Sequence, residues 1–355
     1  MPPATGNRTP IDPAIDPTRP TIKPTPPTVD ATPPTVDAAL PTVDPTTPTI
    51  DATRPTVDPA PPQIAGLRAG DELAGVFACT RKDRLVARTG TAYLAIELRD
   101  RSGTIAGRAF RGADALAARF ERGDLVRVGG HVERFRDELQ VDVRRIERID
   151  PGAVGADAEA TAPERFLPVA YRDLDELDGF LEHLAREVHD RQLRALLERL
   201  VGDAELRAEW RRAPCTRAGH HAYLGGLLEH TVAVGMLAVE LAPLHPRLDV
   251  DLLLCAALVH DIGKTHEFTY GAEIGISEPG RLLGHVQLGV ELLDPPLSAA
   301  GVESGRRAAL LHCVLAHHGA DALPGRRFQS AEALALYRVN ALDASVKGAL
   351  EHGLG

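Results

Sequence analysis

Between residues 63 and 150 apolar and polar positions alternate in short runs. Leu73–Thr80 and Tyr93–Arg99 read as strands, and Thr104–Phe110 pairs with the second across the turn Asp100-Arg101-Ser102-Gly103. A short helical stretch, Ala113–Arg122, comes next. Asp124–Arg134 and Glu138–Ile149 complete the set, joined through Arg136-Asp137. Five strands with a helix between the third and fourth is the order of an OB-fold barrel.

After residue 172 the period changes from two to three and four. Leu174, Leu177, Leu181, Leu184 and Val188 fall on one helical face, as do Leu193, Leu196, Leu197 and Leu200. Further helices are predicted over about 224–242, 250–260, 281–294, 304–317 and 330–350, so residues 173–355 read as an all-helical bundle. Residues 151–172, rich in Ala, Gly and Pro, read as the linker between barrel and bundle.

The first 62 residues follow neither pattern. Pro-Thr-Val/Ile-Asp recurs at Pro27, Pro34, Pro41, Pro48 and Pro55, with looser copies at Pro20 and Pro13. A proline in every seven-residue repeat removes helix hydrogen bonds and excludes a coiled coil. Too little apolar surface is present to offset the entropy of ordering, so a disordered, partly polyproline-II tail is expected. Fully extended, it would reach on the order of 150 Å. A solvated tether is the plain role; its threonines leave open phosphorylation or docking of a protein partner.

Composition sharpens this picture in three places. The net charge of −10 argues against a general polyanion binder, yet residues 63–150 carry 17 Lys/Arg against 14 Asp/Glu, so nucleic-acid contact belongs there first. Only four lysines occur, Lys23, Lys82, Lys264 and Lys347, which makes Lys264 noteworthy. Four scattered cysteines without CxxC spacing suggest reduced thiols. No signal peptide is evident, and the longest purely apolar run, Leu252 to Val259, is too short to cross a bilayer. A soluble cytoplasmic protein is expected, with no membrane partner.

The chemistry is carried by histidines in apolar company. His230 shares a helical face with Val234, Leu237 and Leu241, and His260-Asp261 ends a strongly apolar helix. His285 lies near a helix start, His317-His318 ends another helix, and Asp343 lies on the last one. One buried histidine is usually a hydrogen-bonded core residue. Five histidines and two aspartates on five successive helices instead suit a metal site, because burying so many polar groups unpaired is costly. Adjacent helical residues project about 100° apart, which favours Asp261 as a bridge between two metals. The natural partition puts His230, His260 and Asp343 on one ion and His285, His317 and His318 on the other. Such a pair activates water and neutralises phosphate. Lys264 is a candidate for phosphate neutralisation or proton transfer, and Arg281, His220 and His221 are candidates for substrate contact. On the barrel, Tyr93, Phe110 and Phe135 with Arg108 and Arg134 are candidates for stacking and holding a single strand. A barrel used only for assembly is the alternative.

The ordered set HHAYLGGLLEHT at His220–Thr231, HDIGK at His260–Lys264, GRLLGH at Gly280–His285, HHG at His317–Gly319 and Leu342-Asp343-Ala344 resembles the HD-domain metal-dependent phosphohydrolase superfamily. With a barrel upstream, it is similar to the YhaM-type 3′→5′ exoribonucleases over about residues 63–346. That resemblance implies removal of nucleotides from the 3′ end of single-stranded RNA, or single-stranded DNA, with two divalent ions. Manganese comes first; Fe, Mg, Co and Zn also suit the ligands. Two departures stand out: the loop ADALPGRRF at Ala320–Phe328, and Tyr337, where a histidine is common. Two other functions stay open, a phosphohydrolase of small or cyclic nucleotides and a nucleic-acid-binding accessory protein without catalysis. Self-association of the chain is also left open.

Overall fold

The computed structural model describes residues 63–87, 90–150 and 159–353, so the repeat tail and residues 151–158 of the expected linker lie outside the described residues. Strands β1 (Glu72–Val86), β2 (Ala92–Asp100), β3 (Gly103–Ala109), β4 (Leu125–Phe135) and β5 (Glu138–Ile149), with helix α1 (Ala113–Ala117) between β3 and β4, close into a barrel. The strand order is β1-β2-β3-β5-β4, antiparallel except where β3 meets β5. Closure depends on β1 serving two neighbours. Its first half pairs with β4, and its second half, beyond a bulge at Cys79/Arg81, pairs with β2. That second half, Arg81-Lys82-Asp83-Arg84, lacks apolar alternation, which is why the sequence shows β1 only as far as Thr80. Inward residues such as Phe77, Leu94, Leu98, Val126, Val141 and Ile146 fill the interior.

The second half is helical: α2 (Leu174–Glu187), α3 (Arg191–Gly202), α4 (Ala204–Arg212), α5 (Gly226–Leu241), α6 (Val250–Val259), α7 (Lys264–Glu267), α8 (Glu278–Ala299), α9 (Ser304–Ala316) and α10 (Ala331–His352). Aspartates cap the starts of α2, α3, α4 and α6, and serines cap α8 and α10, each accepting from backbone N–H groups of the first turn. Helix α4 escapes the periodic pattern because AELRAEWRR buries only Trp210. A two-stranded sheet, β6 (Phe268–Tyr270) with β7 (Ile274–Ile276), interrupts the predicted run of helices.

Helix α5 occupies the middle, against α2, α4, α6 and α10. Among the described residues one stretch, Gly226–Leu244, is long and apolar enough to cross a membrane, and half of it is buried in this helical core. Barrel and helices share a small apolar contact. Val76, Ala78 and Leu125 of the barrel pack on Phe166 and on Ala272, which sits in the β6–β7 turn. Arg99 of β2 also donates to the Ala272 carbonyl. The hairpin thus touches the barrel at its turn while Phe268 and Ile276 line the cleft described next.

Candidate metal centre and nucleic-acid surface

Four helices bring the histidines to one place. His230 projects from the middle of α5, His260-Asp261 follow α6, and His317-His318 follow α9. His285 arrives through two glycines. Gly284 takes a positive φ of 72° that kinks α8, and Gly263 lies so near α8 that a methyl there would collide with the His285 carbonyl and the Gly289 nitrogen.

Asp261 is buried at the centre. Its Oδ2 lies 3.6 Å from His230 Nε2 and 3.4 Å from His260 Nε2. Its Oδ1 lies 3.5 Å from His285 Nε2 and 3.3 Å from His317 Nε2. His318 Nε2 is 2.8 Å from His285 Nε2. Two of the candidate ligand groups among the described residues share Asp261: with His230 and His260 on one side, and with His285, His317 and His318 on the other.

The far nitrogen of each of four rings is already engaged. His230 Nδ1 is 2.6 Å from Asp343 Oδ2, and His260 Nδ1 is 2.8 Å from the Ala257 carbonyl. His285 Nδ1 is 3.2 Å from Glu267, and His317 Nδ1 is 2.5 Å from the Val314 carbonyl. These partners only accept, so the rings of His260, His285 and His317 donate from Nδ1 and keep their Nε2 lone pairs for the centre, while His230 Nε2 also lies 3.0 Å from Asn340 Oδ1. Three imidazole lone pairs and a carboxylate then face one another. Lys264 Nζ donates to Asp261 Oδ2 at 2.6 Å, but Asp261 Oδ1 and His317 Nε2 are buried without any hydrogen-bond partner. Acceptors converging on acceptors are unfavourable unless a cation lies among them. The residues present therefore fit a divalent metal.

Electrostatics agree. Burial pushes His230 down to about 4, against the opposing pull of Asp343. Burial pushes His318 down to about 3 and lowers His317 as well. Neutral imidazoles are the ligand form. Burial would raise Asp261, but Lys264 and His260 outweigh it and hold the carboxyl well below the usual range. Burial would likewise lower Lys264, yet Asp261 beside it holds the ammonium above its usual value. Burial pushes the neighbouring Cys215 thiol, 3.4 Å from Lys264 Nζ, up to about 12.

Of the predicted trio, Asp343 meets His230, and with His221 the two form a further group that could hold an ion. Asp343 stands behind His230, on the Nδ1 side, with His221 Nε2 3.0 Å away. His221 is 1% exposed and bonds Tyr223, which in turn donates to Glu229 at 2.7 Å, with Lys347 on the other Glu229 oxygen. His221 therefore supports His230 from behind, and His220 takes the cleft wall instead. Arg281 is exposed on the first turn of α8 and does not line the cleft. Lys264 does line it.

Sequence reasoning missed several residues of this site. Glu267 bonds both the ring and the backbone N–H of His285, each at 3.2 Å. Asn340 holds its Oδ1 3.0 Å from His230 Nε2 and donates Nδ2 to the His317 carbonyl at 3.1 Å. Glu267 follows Lys264 by one helical turn and Asn340 precedes Asp343 by three residues, spacings that could have flagged both. The cleft above the cluster holds about 440 Å³, and Arg217 and Tyr337 also line it.

On the barrel four of the five candidates meet on one surface. Tyr93 stacks on Phe110 with ring centres 5.1 Å apart, and Arg108 lies 5.4 Å from the Tyr93 ring and 5.9 Å from Phe135. Arg108 donates to Tyr93 Oη and to Gln140 Oε1. Phe110 and Phe135 are 48% and 49% exposed, an unusual cost for phenylalanine unless something covers them. Arg134 instead bonds the Asp137 carbonyl in its own turn.

Residues 227–345 match the HD domain family, and residues 78–149 match a family described as OB-fold nucleic acid binding domain. The chain is 27% identical over 234 residues to the 3′-5′ exoribonuclease YhaM of Bacillus subtilis, covering 66% of this chain and 72% of that protein. It is 25% identical over 263 residues to the 3′-5′ exoribonuclease YhaM of Listeria innocua, covering 73% and 81%. Among solved structures, the second OB-fold domain of replication protein A from Methanococcus maripaludis matches at 22% identity and a TM-score of 0.21, covering 27% of this chain and all of that one.

Proposed function

We propose that this chain, which belongs to the HD-domain superfamily and carries an OB-fold barrel ahead of that domain, is a metal-dependent hydrolase that shortens single-stranded RNA from its 3′ end. One observation carries the metal chemistry: imidazole lone pairs and both oxygens of Asp261 converge, with Asp261 Oδ1 and His317 Nε2 left unpartnered. His230 and His260 would hold one ion, His285, His317 and His318 a second, and Asp261 both. Manganese heads the candidates for this histidine-carboxylate set. The chemistry such ions supply is neutralisation of phosphate charge and acidification of water at neutral pH.

The rest falls to the chain itself. Lys264 keeps a charged ammonium on the cleft wall, where it offsets phosphate charge while orienting Asp261. Asp343 and Glu267 fix the rings of His230 and His285 from behind, keeping their Nε2 atoms aimed inward. The Tyr93–Phe110–Phe135 surface with Arg108 offers stacking faces for the upstream part of a strand, and single-stranded DNA would use the same faces. Four free, buried thiols fit a cytoplasmic setting.

The test is a 5′-labelled RNA oligonucleotide and its DNA equivalent incubated with protein and Mn²⁺. A ladder shortening from the 3′ end, abolished by chelator and by Asp261→Ala, is the expected result and ranks the two substrates. Strands left intact under several divalent metals would sink it and favour small nucleotides instead.

A further inference from the structure

Helix α10 presents Tyr337, Asn340, Ala341 and Ala344 to the cleft, a spacing of three, four and seven that puts them on one helical face. Asn340 ties this face to the cluster through His230 and the His317 carbonyl. Tyr337, one turn earlier, has no part in that tie. Its ring edge lies against Gly319, the residue after His318, where a built methyl would sit 3.6 Å from Cε2. The ring therefore lies one residue from a candidate metal ligand.

Phe328, from the loop before α10, stacks on Tyr337 with ring centres 5.5 Å apart and planes 30° apart. Both rings are only partly buried. A backed, partly open aromatic ring beside two alanines makes a flat shelf with free space above the methyl groups. Phe268 and Ile276 add apolar lining, and the exposed Arg338 guanidinium lies 5.1 Å from the Tyr337 ring centre. The volume of about 440 Å³ is within the range of roughly 300–1,000 Å³ typical of small-ligand sites. Metal ions have no use for such a shelf. A nucleobase does, because every base has a π-face and stacks without regard to sequence.

We propose that Tyr337, backed by Phe328, is the shelf on which the base of the terminal nucleotide stacks while its phosphate lies at the histidine cluster. Resting on the nucleotide-substrate reading above, this makes Tyr337 a specificity-determining residue that demands a base without choosing which.

Binding tests it without turnover. Adenosine 5′-monophosphate and ribose 5-phosphate are titrated calorimetrically into the Mn²⁺-loaded full chain, its Tyr337→Phe variant and its Tyr337→Ala variant. The wild type and Tyr337→Phe should prefer the nucleotide by about tenfold or more, as expected of one base–aromatic stack. Tyr337→Ala should lose that preference and still bind ribose 5-phosphate as the wild type does. Equal binding of both ligands by the wild type, or an undiminished preference in Tyr337→Ala, overturns the shelf. Strands that stay intact while the nucleotide preference follows Tyr337 would count against the exonuclease alone.

Discussion

The barrel surface and the helical cleft both gather polar and aromatic residues, and they leave opposite things undone. On that barrel surface Arg108 is already paired, donating to Tyr93 and to Gln140. What remains open is apolar, the half-exposed rings of Phe110 and Phe135. At the histidine cluster it is polar atoms that are left over, Asp261 Oδ1 and His317 Nε2 above all. A surface of the first kind attracts a partner through area still in contact with water. A cluster of the second kind demands a cation, because nothing in the chain can pair acceptors with acceptors. The two regions should therefore fail differently when altered.

The largest effect should come at the shared carboxylate. Asp261→Ala removes the only residue common to both ligand groups and should lower hydrolysis by at least about a thousandfold, while the barrel still retains labelled RNA in a filter-binding assay. Next in size is a residue that touches no ion. Glu267→Ala frees the His285 ring and should weaken Mn²⁺ binding by roughly 10- to 100-fold in a calorimetric titration, with Glu267→Gln recovering part of it. On the barrel, Phe110→Ala with Phe135→Ala should raise KM for a long strand about tenfold and leave metal affinity unchanged. Equal loss of metal binding in that double variant would erase the distinction between the two regions.

The smallest effect on function should come from a third kind of cluster, fully paired within the chain. Asp178 accepts from Arg207 and Arg211 of α4. Burial raises its pKa, but the two guanidinium partners more than compensate and hold it below the usual value. Its contribution is therefore complete above about pH 4, the ordinary carboxylate value, and is lost as pH falls through the lowered folded value. Asp178→Asn should reduce stability by roughly 2 kcal/mol at neutral pH in a denaturant titration, the difference from wild type shrinking on acidification, with metal affinity untouched.

The fold was legible wherever burial imposed a period. β5 matches Glu138–Ile149 end to end, and α5, α6, α9 and α10 match their apolar faces to within a few residues. Elements stabilised by other means were not legible: the charged half of β1, the polar α4 held by Trp210 and its Asp203 cap, and the three-residue strands β6 and β7. At the site, the histidines stood out because they interrupt apolar helices. Their supports did not, since Glu267 and Asn340 sit in sequence contexts where a polar residue is ordinary. Ring orientation was also beyond the sequence: Asp343 meets Nδ1 of His230, and His221 is enclosed beside it, only through the packing of α10 against α5.

The most direct test of the central claim is equilibrium dialysis of metal-stripped protein against Mn²⁺, followed by metal analysis of the wild type and of Asp261→Ala. Two ions retained per wild-type chain, and neither retained once Asp261 is gone, is the result expected of a carboxylate shared by two histidine groups. A wild type that retains no metal, or an Asp261→Ala variant that retains both ions, would contradict it.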